Sequence, residues 1–371
     1  MNVPLLDLVG QYRAIKDEVI PALQAVIESQ QFIMGPGIGQ LEAKIAELSH
    51  AKHGIGCASG TDALLLPLKA LNLKPGDEVI TTPFTFFATA GTIHNAGGKP
   101  VFVDIDPDTF NIDPAAAEAA INSRTRAIMP VHLYGQMAEM ERLLQIAGRH
   151  GVKLIEDAAQ AIGARRSIDG VWRMAGELGW ATGYSFFPSK NLGAWGDGGM
   201  IVTSDDAAAD RLKKLRLHGG AKQYHHEEVG TNSRLDTLQA AVLLAKLPHL
   251  AGWSARRREH AAYYSKALSG LAAVRTPVTA PGNEHIFHQY TLRVERRDAL
   301  QAHLKAKGIG NAIYYPIPLH RQPCFANLGY RAGSLPRCEQ AALEVISLPI
   351  YPELERAQLD YVVDAIREYY R

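Results

Sequence analysis

The segment TGYSFFPSKNLGAWGDGGM at 182–200 carries the most demanding chemistry in the chain. A β-type run ends in Ser185, a short Phe186-Phe187-Pro188-Ser189 stretch leads to Lys190, and glycines follow at 193, 196, 198 and 199. A surface lysine rarely needs so constrained a frame. Lysine is the residue for imine formation, because its amine becomes nucleophilic once desolvated or set near another cation. Ser185 offers a hydroxyl to a phosphate, and the glycines let backbone and ligand approach closely. No GxxxxGKS or GxxxxGKT run is present, which argues against a nucleoside-triphosphate loop.

Two further segments bear on the same chemistry. In KLIEDAAQAIG, Glu156 and Asp157 stand where a central strand should end, the place at which open α/β sheets set their ligands. A buried carboxylate there needs a positive partner, and the pyridinium nitrogen of pyridoxal phosphate is one. Asp157 is the candidate, with Gln160 one helical turn later; a helix-capping acidic pair is the alternative. In GCASGTDALLL at 56–66, a strand runs through Ser59-Gly60-Thr61 into a helix starting near Asp62. Free N–H groups and the positive dipole end at such a start suit a phosphate, although taken alone these residues read more often as a simple N-cap by Ser59 or Thr61.

Other motifs are set aside. GPGIGQ at 35–40 lacks full dinucleotide-loop spacing and a preceding strand, and is expected as a turn. GCASG misplaces its serine for a nucleophile elbow. His225 and His226 are adjacent, and adjacent side chains rarely converge on one metal, so no metal site is expected.

The elements that must position these groups follow from periodicity. Apolar or β-branched runs at GIGCA, EVITT, PVFVDI, RAIMPVHL, VKLIEDA, TGYSFF and GMIVTS are separated by helix-like stretches, including DALLLPLKAL, PAAAEAAI, MAEMERLLQIAGRHG and DAAADRLKKLRLHGG. That alternation predicts an α/β fold with a mostly parallel sheet flanked by helices. Two more helices, LDTLQAAVLLAKLPHL and WSARRREHAAYYSKALSGL, meet at a break near Pro248, which divides the chain into a large unit over 1–248 and a smaller α+β unit over 249–371. In the smaller unit, QYTLRV reads as a strand, RRDALQAHLKAKG as a helix, NAIYYPIPL as extended and ELERAQLDYVVDAIREYY as a final amphipathic helix. RSIDGVWRMAGELGWATG is longer than its flanking strands require.

Composition narrows the function classes. With 39 basic and 38 acidic residues in 371 the net charge is +1, which disfavours nucleic acid or anionic membrane as partners. No apolar window reaches the length of a membrane span, and nothing at the amino terminus resembles a leader. The three cysteines form no CxxC pair, as suits a reducing compartment, so a cytoplasmic protein is expected.

Taken together, the ASGTDAL turn, the IEDAAQ strand end, the SFFPSKN lysine and the later GTNSRLDTLQAA resemble the DegT/StrS family of sugar aminotransferases, of the fold-type I pyridoxal-phosphate class. The resemblance extends from FIMGPGIGQLE to SLPIYPEL. It implies a seven-stranded large domain and a role for each matching position. Lys190 would carry the cofactor and shuttle the proton, Asp157 would pair with the pyridinium, and Gln160 would contact the ring hydroxyl. Gly60, Thr61 and Ser185 would hold the phosphate, and Phe86 would stack on the ring, a core phenylalanine being the alternative. Asn232 would reach the phosphate of a neighbouring subunit, which makes the expected state a homodimer with shared sites. Arg234, Tyr314, Tyr315 and His320 fall in segments that face the nucleotide-sugar in this family, exposed loop side chains being the alternative.

The reaction implied is a two-stage exchange in which L-glutamate loads the cofactor as pyridoxamine phosphate and a keto-sugar takes the amine. Related dehydratases carry histidine in place of this lysine, so Lys190 favours transamination. The YHHEEVGTNSRLDTLQAA and YYPIPLH segments lean toward C3 amination of a UDP-activated 3-keto-N-acetylglucosamine, for an amino sugar of a cell-surface polysaccharide or lipopolysaccharide. A dTDP-3-keto-6-deoxyhexose or a 4-keto-sugar is the alternative substrate. A regulatory protein that binds the cofactor without turnover, and a nicotinamide-dependent sugar oxidoreductase, are the alternatives of other classes.

Overall fold

The computed structural model describes residues 1–222 and 224–371. Strands β1 (His53–Cys57), β2 (Glu78–Thr81), β3 (Lys99–Phe102), β4 (Thr125–Met129) and β5 (Lys153–Asp157) are followed by a hairpin, β6 (Arg165–Ile168) and β7 (Val171–Met174). Next come β8 (Ala181–Ser185) and β9 (Gly199–Thr203). Seven of them pair in the order β1-β9-β8-β5-β4-β2-β3, each on one of the expected apolar runs. All pairings are parallel except those of β9, which runs antiparallel to β1 and β8. Strands β2, β8 and β9 are buried at every residue, which is why they read as continuous apolar runs rather than as alternation.

Helices α1 (Leu8–Ser29), α2 (Pro36–Leu48), α3 (Gly60–Ala70), α4 (Ala88–Asn95), α5 (Pro114–Ala119), α6 (Met140–His150), α7 (Asp206–Leu215) and α8 (Thr237–Lys246) accompany the sheet. Local chemistry sets several ends. Asp113 and Asp205 accept N–H groups of α5 and α7 at 2.9 and 3.0 Å, and α6 stops at Gly151 with φ 65°. GPGIGQ is not a free turn: Pro36 opens α2, where a missing N–H costs nothing. Helix α1, unforeseen above, packs Ile15 and Val19 against Val242 of α8.

After Leu250 the chain forms α9 (Leu250–Leu268), β10 (Val274–Arg275), β11 (Asn283–Glu284), β12 (Tyr290–Val294), α10 (Arg297–Ala306), α11 (Pro336–Glu344), β13 (Val345–Leu348) and α12 (Arg356–Tyr370). Strands β10, β12 and β13 make an antiparallel sheet whose core includes Tyr264, Tyr290, Leu292, Ile346, Val362 and Ile366. Val3 at the start of the chain enters the same core and bridges Ile309. Among the described residues no helix is long and apolar enough to cross a membrane.

The segment without an evident purpose in the sequence is the hairpin. Asp169 and Gly170, at φ 52° and 78°, make its two-residue turn, and β11 adds a third strand beside β6. Its exit is tied to the central sheet by Glu156. That fully buried carboxylate accepts His132 Nε2 at 2.7 Å, the N–H groups of Gly176, Leu178 and Gly179 at 3.2, 3.2 and 2.5 Å, and the Thr182 hydroxyl at 3.2 Å. Burial by itself would raise its pKa; His132 and the backbone donors overcome that and hold the carboxyl below the ordinary 4.5.

Removing one partner from such a buried arrangement strands the others. Glu156→Ala is expected to lose about 3–5 kcal/mol of unfolding free energy at neutral pH, measured by denaturant titration. Because the folded pKa is depressed, the stabilisation is present above 4.5 and is lost as pH falls through the lower folded value, so wild type and variant converge in acid.

Candidate active site

The carboxyl ends of β5 and β8 and the amino end of α3 converge on a cavity of about 450 Å³, in the place where open α/β sheets bind ligands. Gly60, Thr61, Phe86, Asp157, Gln160, Ser185, Lys190, Tyr314 and Tyr315 all line it. Residues from five separate stretches of chain thus meet at one place.

Lys190 is presented by a turn. Its N–H donates to Phe187 O at 2.8 Å, with Pro188 at the second position, where its fixed φ is favoured. The returning loop crosses this turn so closely that a Cβ on Gly193 would sit 2.3 Å from the Pro188 carbonyl oxygen. Lys190 is half-buried and lines the cavity, and burial lowers its amine pKa to about 8, with the Asp157 charge opposing the shift. A fraction of the amine is therefore neutral and nucleophilic near physiological pH.

Asp157 is buried on the cavity side of β5. The Thr89 hydroxyl of α4 donates to it at 2.7 Å and Ala159 N–H at 3.2 Å. Burial raises its pKa, and Thr89, Ala159 and Lys190 offset this only in part. A carboxylate left short of positive charge in this way gains from a cationic N–H placed before it. Gln160 is oriented from both ends: Oε1 accepts Tyr134 N–H at 2.7 Å, and Nε2 donates to the Tyr315 hydroxyl oxygen at 3.0 Å. Desolvation pushes the half-buried Tyr315 phenol up in pKa, so it stays neutral.

Ser59 caps α3 by accepting Asp62 N–H at 3.1 Å. Gly60 then lies so near Ser185 that an added Cβ would come within 2.5 Å of the serine Cβ, so no larger residue fits without displacement. Helix dipole, first-turn N–H groups and the Ser185 hydroxyl make an anion cradle at this end. Lysine, carboxylate and cradle form the set that pyridoxal phosphate requires of a protein, and these residues fit that group.

Of the other expected positions, Phe86 stands exposed at this cavity and Asn232, Arg234 and His320 are not among the residues lining it. Phe86 is 59% exposed and faces Tyr315 with ring centroids 6.5 Å apart, so it is no core residue; Phe84 is. Asn232 is exposed and Arg234 half-buried, and neither lines this chain's cavity. Between them Ser233, unnoticed in the sequence, donates to Asp62 at 2.6 Å and accepts Ala58 N–H at 3.2 Å, docking GTNSR onto the ASGTD turn. His320 is neither an exposed loop residue nor a lining one. Its ring is buried, with Nε2 3.0 Å from Glu339, because the 3₁₀ turn Leu319–Arg321 directs it into the protein. Thr89, Asp197 and His288 belong to the site or its support and carried no motif signal.

In the cofactor-free protein, the pH profile of Lys190 acylation, followed by peptide mass spectrometry, is expected to have its midpoint at about 8. Asp157→Asn removes the charge that favours the ammonium and should move the midpoint lower. A wild-type midpoint near the ordinary 10.5 would show that the lysine is not desolvated.

Comparison with known proteins places this geometry in context. Residues 13–367 match the family model described as the DegT/DnrJ/EryC1/StrS aminotransferase family. The chain is 56% identical to a protein of Geobacillus stearothermophilus named pleiotropic regulatory protein, over 100% of this chain and 99% of that one. It is 46% identical to a UDP-N-acetyl-3-dehydro-alpha-D-glucosamine 3-aminotransferase of Acidithiobacillus ferrooxidans, covering 98% and 97% of the two chains. Among solved structures, S. venezuelae DesV in complex with a ketimine intermediate superposes with a TM-score of 0.96 at 45% identity, covering 100% of this chain and 99% of that one. The fold is that of the fold-type I enzymes, and the chain belongs to the DegT/DnrJ/EryC1/StrS family of pyridoxal-phosphate-dependent sugar aminotransferases.

Proposed function

We propose that this enzyme moves an amino group from L-glutamate to C3 of a UDP-activated 3-keto-N-acetylglucosamine, as a homodimer with shared active sites. The observation that carries the catalytic half is the convergence of a lysine amine at a pKa of about 8 with the buried Asp157 in one cavity. The similarity to the A. ferrooxidans aminotransferase supports the sugar and the carbon. The regulatory name of the G. stearothermophilus relative keeps a non-catalytic reading on the table, and turnover decides it.

Pyridoxal phosphate, when bound, supplies the electron sink through which the amine passes from donor to acceptor. The chain supplies everything else. Gly60, Thr61, Ser185 and the α3 dipole would hold the cofactor's phosphate, Asp157 would pair with its ring nitrogen, Gln160 would contact its ring hydroxyl and Phe86 would stack on its ring. Lys190 anchors the cofactor and, once free, takes and returns a proton at Nζ, for which a pKa near the working pH is suited. Tyr314 and Tyr315 border the space left for the sugar. Asn232 lies outside this chain's cavity, as suits a residue that serves a neighbouring subunit's site, and Arg234 does not line the cavity either. His320, buried beside Glu339, is given no contact with the substrate in this reading.

The purified enzyme should show a visible cofactor band that is lost on adding L-glutamate and returns with UDP-3-keto-N-acetylglucosamine. Return only with a dTDP-3-keto-6-deoxyhexose would overturn the substrate assignment, and a glutamate-inert band would favour the regulatory reading. Lys190→Ala should reduce turnover by more than about a hundredfold while leaving the fold intact by circular dichroism. Mixing Lys190→Ala with Asn232→Ala protein under subunit exchange should give activity above the sum of the two alone, because mixed dimers contain one intact site. Strict additivity would rule out sharing.

A further inference from the structure

His320 does not line the cavity, yet its buried ring is tied to one wall of it. Nε2 lies 3.0 Å from Glu339 Oε1. Against burial, the Gly333 N–H and His320 hold the Glu339 carboxyl below the ordinary 4.5, and an ionised carboxylate only accepts, so Nε2 carries the proton. Among the described residues Nδ1 is buried without a partner. An apolar side chain would avoid that cost, so the ring is explained by what Nε2 holds. Glu339 is a fixed acceptor. It takes the Gly333 N–H at 2.8 Å, and the N–H groups of Arg337 and Cys338 just before it in α11 donate to Asp104, after β3, at 2.9 Å each. From His320 the chain runs back through Leu319, Pro318, Ile317 and Pro316 to Tyr315. Leu319 N–H donates to Pro83 O at 2.8 Å. Phe84, beside Pro83, meets the Tyr315 ring edge-on at 6.3 Å, and Phe86 meets it at 6.5 Å. Tyr330, edge-on to His320 at 5.9 Å, bonds through its hydroxyl to the N–H and O of Phe102 at 2.9 and 3.0 Å. The turn Leu319–Arg321 therefore fastens the Tyr314-Tyr315 segment to the ends of β2 and β3. Neither His320 nor Glu339 lines the cavity that Lys190, Asp157 and Ser185 share.

We propose that His320 is a positioning residue for the aromatic wall of the active site: its bond to Glu339 pins the Leu319–Arg321 turn, which sets where Tyr314 and Tyr315 stand and so how tightly the keto-sugar is bound. The proposal rests on the reading that these two tyrosines border the sugar. Because the pair acts on that wall alone, its loss weakens binding and leaves the proton transfer at Lys190 in place. A raised KM at retained kcat is the signature of such lost uniform binding. General loosening of the fold would instead slow the sugar step and the L-glutamate step together.

The test compares steady-state kinetics with the rate at which L-glutamate bleaches the cofactor band. The sugar is UDP-3-keto-N-acetylglucosamine or, if it alone restores the band, the dTDP-3-keto-6-deoxyhexose. His320→Leu should raise KM for the sugar about tenfold, with kcat and the glutamate rate within about twofold of wild type. His320→Gln, whose amide places a donor near the Nε2 position, should return KM toward wild type. Glu339→Ala removes the acceptor from the half-buried side of the pair and should reproduce the KM change without altering the ring, so it carries the test if the leucine variant does not fold. Tyr315→Ala removes part of the wall itself and should raise KM at least as far. If Tyr315→Ala raises KM while His320→Leu and Glu339→Ala do not, or if these two lower kcat and the glutamate rate in proportion, the positioning role is overturned. An unchanged KM in Tyr315→Ala would instead overturn the placing of the sugar against the tyrosines, so the two failures are separable.

Discussion

Adjacent residues of a β-strand project to opposite faces, and at the end of β5 that rule separates two carboxylates that the sequence sets side by side. Glu156 goes to the interior, where His132, Thr182 and three backbone N–H groups neutralise it. Asp157 goes to the cavity, where its partners are too few to offset burial. One carboxylate is stabilised by the protein and the other is left for a ligand. Much of the site follows from that division, because Lys190, Thr89 and Gln160 are arranged around the second carboxylate, and the hairpin exit around the first.

The lysine turn is held by a different kind of constraint. Lys246, fully buried at the end of α8, donates to Gly193 O at 2.5 Å, in the loop that closes behind Lys190. Arg257, one helix further on, gathers three carbonyls from the segments before β12 and after β13. Buried cations stay charged only when carbonyl oxygens or a carboxylate compensate them, and Glu353 adds that compensation here. Lys246 thus fastens α8 to the loop behind Lys190, and Arg257 fastens α9 to the segment that brings His288 to the cavity, so the geometry of the cavity depends on residues well outside it.

Recognition of the anion end is more local. The Ser59 cap, the first turn of α3 and Ser185 on β8 come together because β9 runs antiparallel between β1 and β8 and brings both strand ends to one edge of the cavity. Ser233 then fastens the GTNSR segment to the same turn and leaves Asn232 directed outward. An exposed phenylalanine at the mouth, Phe86, leaves a flat apolar face available to a ring.

The sequence by itself determined the seven strands of the main sheet, since burial along most of each strand writes it as a largely apolar run, and it marked Lys190, Asp157, Ser185 and Gly60, whose local frames are confined to a few consecutive residues. It did not contain the hairpin's purpose, because a two-residue turn at Asp169-Gly170 says nothing of the β11 strand that pairs with β6 from far along the chain. Nor could it turn His320 inward or bring His288 to the cavity that Lys190 lines. Those outcomes depend on where α9 and the loops before β12 settle on the sheet, and on which buried hydrogen bonds that packing leaves to be satisfied. Chemistry written within one short segment is legible from residue types, while chemistry assembled across segments is decided only when the core closes.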